Sequence, residues 1–189
     1  MLVIFEGVDG AGKTTLIKKL KDIYNWPEIE WPGKQKSCSS FIQMVDNFLE
    51  EHEDEIYSNQ IYLMDRGGLG EIIYGTLENR LDTNANCYNF LTSLWEESVL
   101  VFCSNDQAYV NAVTRGEDGI AKDAIMHRTI DQAYKSIVAG CNSFSRQEEN
   151  VFRDVIWYDY SDKESTHTAE QVASLIIRAN FERIMKESK

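Results

Sequence analysis

Apolar residues in this chain fall into short, buried-type runs that alternate with stretches of helical period. Leu2 to Phe5 is an unbroken apolar run of strand length, and Gln60 to Met64, Val99 to Cys103 and Val155 to Tyr158 repeat that character. Helical patterns lie between them. Lys13 to about Ile23 reads as a helix, and from Ser40 to His52 the residues Phe41, Met44, Val45, Phe48 and Leu49 recur at helical spacing. Tyr88 to Trp95 reads as helix. Ile130, Ala133, Tyr134, Ile137 and Val138 form an apolar stripe expected to stop before Gly140, a C-cap signal. Thr168 to about Lys186 is the last predicted helix, and a short extended piece, Glu28 to Trp31, ends at the turn signal Pro32-Gly33. Alternating strands and helices predict a parallel sheet covered by helices on both faces. With no internal repeat, low-complexity tract or Pro/Ser linker, residues 1–189 are expected to form a single α/β domain.

Composition narrows the classes of partner. A chain of 189 residues is one domain's worth, and 43% hydrophobic with 26% charged residues is ordinary for a globular protein. The net charge of −12 opposes binding to duplex nucleic acid, which needs a basic surface to displace counterions, although a local basic groove is compatible with it. The cysteines Cys38, Cys87, Cys103 and Cys141 lack any Cys-x-x-Cys spacing, and His52, His127 and His167 are far apart in sequence. Neither a zinc site nor a disulfide framework is expected, and a reducing cytoplasm fits best. The apolar opening is too short for a signal peptide and no run approaches a membrane span, so a soluble cytoplasmic protein without membrane contact is expected.

The chemistry is densest at Phe5-Glu6-Gly7-Val8-Asp9-Gly10-Ala11-Gly12-Lys13-Thr14-Thr15. This run contains Gly-x-x-x-x-Gly-Lys-Thr between an apolar strand and a helix, the context in which that spacing makes a phosphate cradle. Gly7, Gly10 and Gly12 let the backbone curl so that successive N–H groups point inward. The helix starting near Lys13 adds its positive dipole end. Lys13 can reach the β/γ-phosphates and the Thr14 hydroxyl can ligate Mg²⁺. Residues 7 and 9–15 are therefore the expected binding segment for ATP with Mg²⁺. A second site follows from the strand Ile61-Tyr62-Leu63-Met64, which ends in Asp65-Arg66. A carboxylate there can hold Mg²⁺ or take the proton of an attacking oxygen, and an arginine can grip a phosphate.

Together these segments resemble the thymidylate kinase group of P-loop nucleotide kinases, including deoxynucleotide kinases of phage type. The first motif is very similar to that group's, and Asp65-Arg66 with Tyr74 nine residues after the aspartate resembles its Asp-Arg motif and following aromatic. Pro32-Gly33, Ser104-Asn105-Asp106 and Val113-Thr114-Arg115-Gly116-Glu117 fall where the group has its Arg-Glu-Pro-Gly turn, its fourth-strand end and its lid. The resemblance implies a P-loop NTPase fold with about five parallel strands in the order 2-3-1-4-5, a lid near 113–128, and homodimers. It implies transfer of the ATP γ-phosphate to a deoxynucleoside monophosphate, dTMP or a related pyrimidine nucleotide. By position, Lys13 would stabilise the transferring phosphoryl group, Thr14 and Asp65 would hold the metal, and Asp9 would face the acceptor's sugar hydroxyl. Arg66 would grip the acceptor, and Arg115 would supply the lid cation, with Lys122 and Arg128 in reserve.

One departure bears on the acceptor. Where the group's turn reads Arg-Glu-Pro-Gly, this chain has Glu30-Trp31-Pro32-Gly33, so a phosphate-binding cation is replaced by a carboxylate. Gly67-Gly68 also leaves room near the acceptor, and Trp31, Phe41, Tyr74 and Tyr88 are candidates either to stack a base or simply to fill the core. These features keep open a kinase acting on a deoxynucleoside or on a hydroxymethylated pyrimidine in DNA, the latter disfavoured by the net charge. A GTP-driven switch would use the Asp-x-x-Gly pattern at 65–68, but no Asn-Lys-x-Asp base-reading motif occurs. A non-catalytic nucleotide-binding protein is the remaining alternative.

Overall fold

The structure is a computed structural model that describes residues 1–81, 85–114, 116, 123–144, 151–159 and 168–188, the side chains of 85–90, 141–144 and 187 excepted. Its elements run β1 (Leu2–Glu6), α1 (Lys13–Tyr24), α2 (Cys38–Glu51), α3 (Glu53–Tyr57), β2 (Tyr62–Asp65) and α4 (Leu69–Leu77). They continue with α5 (Ala85–Glu96), β3 (Ser98–Ser104), α6 (Ala108–Thr114), α7 (Ala124–Phe144), β4 (Asp154–Asp159) and α8 (Ala169–Glu187).

The four strands form one parallel sheet in the order β2-β1-β3-β4. All residues of β1 and β3 are buried, so both sheet faces are covered, as continuous apolar strands require. α1 packs on β1 and β2 and against α8, α5 packs on β3 with α2 behind it, and α4 packs against α7. β4 is an edge strand. Its Ile156 and Tyr158 point inward, while Trp157 between them is 40% exposed. Capping boxes close the N-termini of α2 (Ser37 with Ser40) and α8 (Thr168 with Gln171), which satisfies helix N–H groups that have no intrahelical partner.

Three expectations are corrected. Among the described residues the sheet has four strands in the order β2-β1-β3-β4 rather than about five in the order 2-3-1-4-5. The segment expected as a second strand, Glu28 to Trp31, makes a single parallel bridge, Glu28 with Leu63. Pro27 and Pro32 bracket it and neither has an N–H to give, so only the Ile29 N–H to Leu63 carbonyl and Leu63 N–H to Pro27 carbonyl bonds form, both at 2.9 Å. Gly140 is no C-cap: α7 continues through it to Phe144, at a propensity cost of about 1 kcal/mol relative to alanine. Finally, Cys38 at the start of α2 is disulfide-bonded, where no disulfide framework was expected. Cys103 is free and buried, and burial pushes its thiol up to about 12.

Candidate active site

Residues 7–12 join β1 to α1 at the carboxyl edge of the sheet, where parallel α/β folds bind ligands. Glycine is required there by space as well as by angle. Gly7 has φ +140° and a Cβ on it would stand 2.2 Å from the Cys103 carbonyl oxygen. Gly10 has φ +84° and its Cβ would stand 1.9 Å from the Ala108 carbonyl oxygen. Gly12, at φ 92°, caps α1 without a side chain and leaves the helix N-terminus open. Ala11 is buried beneath the loop, and Thr14 and Thr15 are exposed on the first turn of α1.

Lys13 is 6% exposed, and its ammonium donates to the carbonyls of Gly7 at 2.8 Å and Val8 at 2.9 Å. Burial, and then the neighbouring Arg66 guanidinium, hold its pKa below the ordinary lysine value. The loop is braced from outside. The His127 ring of α7 lies 2.9 Å through Nε2 from the Asp9 carbonyl oxygen, and the Asn111 amide of α6 donates to the Gly10 carbonyl at 3.3 Å.

Asp65 and Arg66 arrive from β2, whose register sets Asp65 beside Phe5 of β1. The Thr14 hydroxyl donates to Asp65 Oδ2 at 2.9 Å, while Asp65 Oδ1 is buried and has no hydrogen-bond partner. A hydroxyl beside a carboxylate with an unsatisfied buried oxygen is a donor set that fits Mg²⁺. Among the described residues no group of three or more His, Cys, Asp or Glu side chains could hold a metal, so phosphate oxygens and water would complete the shell. A pocket of ≈ 270 Å³ is lined by Asp9, Gly10, Gly12, Lys13, Thr14, Asp65 and Arg66.

Arg66 has φ +75°, a conformation that non-glycine residues adopt only when their surroundings hold it. The surroundings are explicit. Its N–H donates to the Phe5 carbonyl at 3.0 Å, and its guanidinium donates to Asp9 Oδ1 at 2.5 Å and to the Tyr134 hydroxyl at 3.4 Å. The guanidinium carbon also lies 5.7 Å from the centre of the Tyr74 ring. Burial works to lower the Arg66 pKa, but Tyr134, Glu6 and Asp9 together raise it above the usual arginine value. Burial, then the Asp9 carboxylate, pushes Tyr74 up to about 12.

Glu6 organises this network. It is fully buried; Oε1 accepts from the Gly67 N–H at 2.9 Å and the Gly70 N–H at 3.2 Å, and Oε2 accepts from the Tyr134 hydroxyl at 3.2 Å. Glu6, His127, Asn111 and Tyr134 were not among the site residues expected from sequence. Tyr134 stood in the apolar stripe of α7, and a buried tyrosine hydroxyl needs a partner; that was the available signal. His127 lies three residues before Ile130 on the same face.

The second cavity, of ≈ 570 Å³, shares Asp65 with the first and is otherwise lined by Lys21, Glu28, Ile29, Glu30 and Trp31. Lys21 pairs with Glu28 at 2.6 Å. Trp31 packs on Phe48 with ring centres 5.2 Å apart. The turn after it is tied to α4: the Gln35 N–H donates to Glu71 at 2.8 Å, Arg80 pairs with Glu71 at 2.5 Å and also with Glu78, and Lys34 pairs with Glu78 at 2.6 Å. Of the other expected residues, Phe41 is core and Arg128 is exposed on α7. Arg115, Lys122 and the Tyr88 side chain lie outside the described residues, as do residues 117–121 of the expected lid.

No protein-family model and no curated protein matches the chain's sequence. Solved structures do match it along nearly its whole length. The chain is similar to YorR protein from Bacillus subtilis, solved in complex with phosphorylated GDP, at a TM-score of 0.63 and 13% identity over 100% of this chain and 99% of that one. It is similar to thymidylate kinase from Candida albicans at 0.52 and 14% identity, over 99% of this chain and 92% of that one. Deoxyadenosine kinase from M. mycoides, solved with the products dCMP and a flexible dCDP, matches at 0.50 and 14% identity, over 95% and 98%. At these identities the likeness shows the fold, which is that of the P-loop kinases.

Proposed function

We propose that this chain is a phosphotransferase that passes the γ-phosphate of ATP, bound with Mg²⁺, to a small acceptor of the deoxynucleoside or deoxynucleotide class. The observation that carries this reading is the position of Asp65. It touches the phosphate loop through Thr14 and also lines the second cavity, so donor and acceptor spaces meet at one carboxylate. A nucleotide-binding switch or a passive subunit has no use for that junction.

In the reaction, an acceptor oxygen forms a bond to the γ-phosphorus while the bond from phosphorus to the β–γ bridging oxygen breaks. The electron pair leaves with ADP and the acceptor proton passes to solvent or a nearby carboxylate. Mg²⁺, when bound, supplies charge neutralisation on the β- and γ-oxygens, and Thr14 and Asp65 are the residues that would hold it. Lys13 exchanges its loop carbonyls for phosphate oxygens, and the N–H groups at the start of α1 accept the remaining charge. Arg66, fixed by Asp9 and Tyr134, presents a cation beside the reacting centre. The resemblance to thymidylate kinases favours a pyrimidine base in the acceptor, and the net charge of −12 weighs against DNA as acceptor.

The test is steady-state transfer from ATP–Mg²⁺ by wild type and by Lys13→Ala. Loss of turnover by about 10²-fold or more in the variant is expected for removal of a preorganised cation. Equal turnover in both would refute the proposal.

A further inference from the structure

We infer that the acceptor is an uncharged deoxynucleoside, taken up through its hydroxyls and base, and that Glu30 is a specificity-determining residue that turns away the corresponding monophosphate. The inference rests on the phosphotransferase reading above and concerns the second cavity. That cavity is large enough for a nucleoside, and it is lined by three carboxylates, Glu28, Glu30 and Asp65, against one ammonium, Lys21.

A phosphomonoester arriving there would bring about two negative charges at neutral pH and would need cations with unspent charge. The residues lining the cavity offer none. Lys21 is held by Glu28 at 2.6 Å, and Arg66 is held by Asp9 at 2.5 Å with its other nitrogen on Tyr134. On the adjoining turn and behind α4, Lys34 and Arg80 are each paired with Glu78 or Glu71. Glu30, by contrast, has no hydrogen bond or ion pair among the described residues and is exposed at the cavity wall. A carboxylate in that state accepts hydrogen bonds from hydroxyl or amino groups and repels phosphate. Ile29 and Trp31 supply an apolar, aromatic wall for a base. The unsatisfied Asp65 Oδ1 at the junction leaves one acceptor position for metal-bound water or for the acceptor hydroxyl.

The experiment is equilibrium dialysis of the protein, saturated with ADP–Mg²⁺, against each of the four deoxynucleosides and the matching 5′-monophosphates. ADP–Mg²⁺ binding itself, compared between wild type and Lys13→Ala, is measured first. At least one deoxynucleoside should bind about tenfold or more tightly than its monophosphate, a modest factor for like charges brought together. Glu30→Gln should narrow that ratio and Glu30→Lys should invert it; the site is exposed, so neither change should disturb folding. A monophosphate that binds as tightly as its nucleoside, or a ratio unmoved by either Glu30 variant, would overturn the inference. Binding of ADP–Mg²⁺ with no binding of either acceptor class would overturn it too, while leaving the phosphotransferase reading in place. ADP–Mg²⁺ binding that does not depend on Lys13 would bring down that reading, and this inference with it.

Discussion

At the residue scale the phosphate loop is built around one buried ammonium. Lys13 rests on two carbonyls; burial, and then the Arg66 guanidinium, disfavour its charged form in the free protein, so its pKa lies below 10.5. Between the depressed folded value and 10.5 the unfolded chain binds more protons than the folded one. The penalty from Lys13 is therefore fully present below the folded pKa and is relieved as pH rises toward 10.5. ATP phosphates favour the ammonium and raise that pKa again. Nucleotide binding in this alkaline window should accordingly take up protons and weaken as pH rises. Calorimetry in two buffers of different ionisation enthalpy reads this directly; an uptake that persists unchanged in Lys13→Met would contradict the assignment. Asp65 makes a different prediction. In the proposed reaction its carboxylate acts on the metal and the transferring group, so Asp65→Asn should lower kcat by about 10²-fold while changing ATP affinity by only a few-fold. A kcat within twofold of wild type would remove Asp65 from the mechanism.

At the scale of elements, the site depends on how α4 and α7 meet the ends of β1 and β2. Gly70 in the first turn of α4 shows the tolerance. A Cβ there would stand 2.6 Å from the Tyr134 hydroxyl, 3.1 Å from Arg66 Nη1 and 3.3 Å from Glu6 Oε2. In an open helix Gly→Ala gains about 1 kcal/mol, but here the clash should dominate and Gly70→Ala should cost about 1–3 kcal/mol. Thermal melts should show a lowered Tm, and transfer should fall by about tenfold or more as Arg66 moves. A raised Tm would mean that α4 is not pressed against this network. His127→Ala should loosen the loop from α7 and raise the ATP KM more than it lowers kcat, since the ring meets the Asp9 carbonyl and the Tyr109 ring rather than the reacting centre.

The same scale explains what could be read from the chain alone. The strands were legible because each is an unbroken apolar run, and the phosphate loop because its spacing is rigid. The segment at 28–31 has strand character, yet two prolines deny it a ladder. α6, and with it the Ala108 carbonyl that faces Gly10, carries no strong apolar period over its seven residues. Glu6, His127 and Tyr134 were hidden for another reason. Their partners lie 61 or more positions away, and no local pattern encodes a contact at that separation.

For the whole molecule, binding should be visible as stability. A ligand held by the folded chain alone, at about a hundred times its Kd, contributes about 2.7 kcal/mol. For a domain of this size that is roughly 5–10 °C in Tm. ATP with Mg²⁺ should give such a shift, and removal of Mg²⁺ by a chelator should reduce it, because Thr14 and Asp65 then lose what links them to the phosphates. An identical shift with and without Mg²⁺ would argue against that pairing. Among the described residues no helix is long and apolar enough to cross a membrane, and the acidic surface turns away polyanions.

The most direct measurement is transfer of label from γ-labelled ATP–Mg²⁺ to a panel of acceptors: deoxynucleosides, their monophosphates, and DNA with and without hydroxymethylated pyrimidines. Lys13→Ala serves as the control. The proposed reaction and acceptor predict label on a deoxynucleoside, less on its monophosphate, none on DNA, and none anywhere with Lys13→Ala. Label confined to DNA, or no transfer to any acceptor by a protein that binds ATP–Mg²⁺, would contradict it.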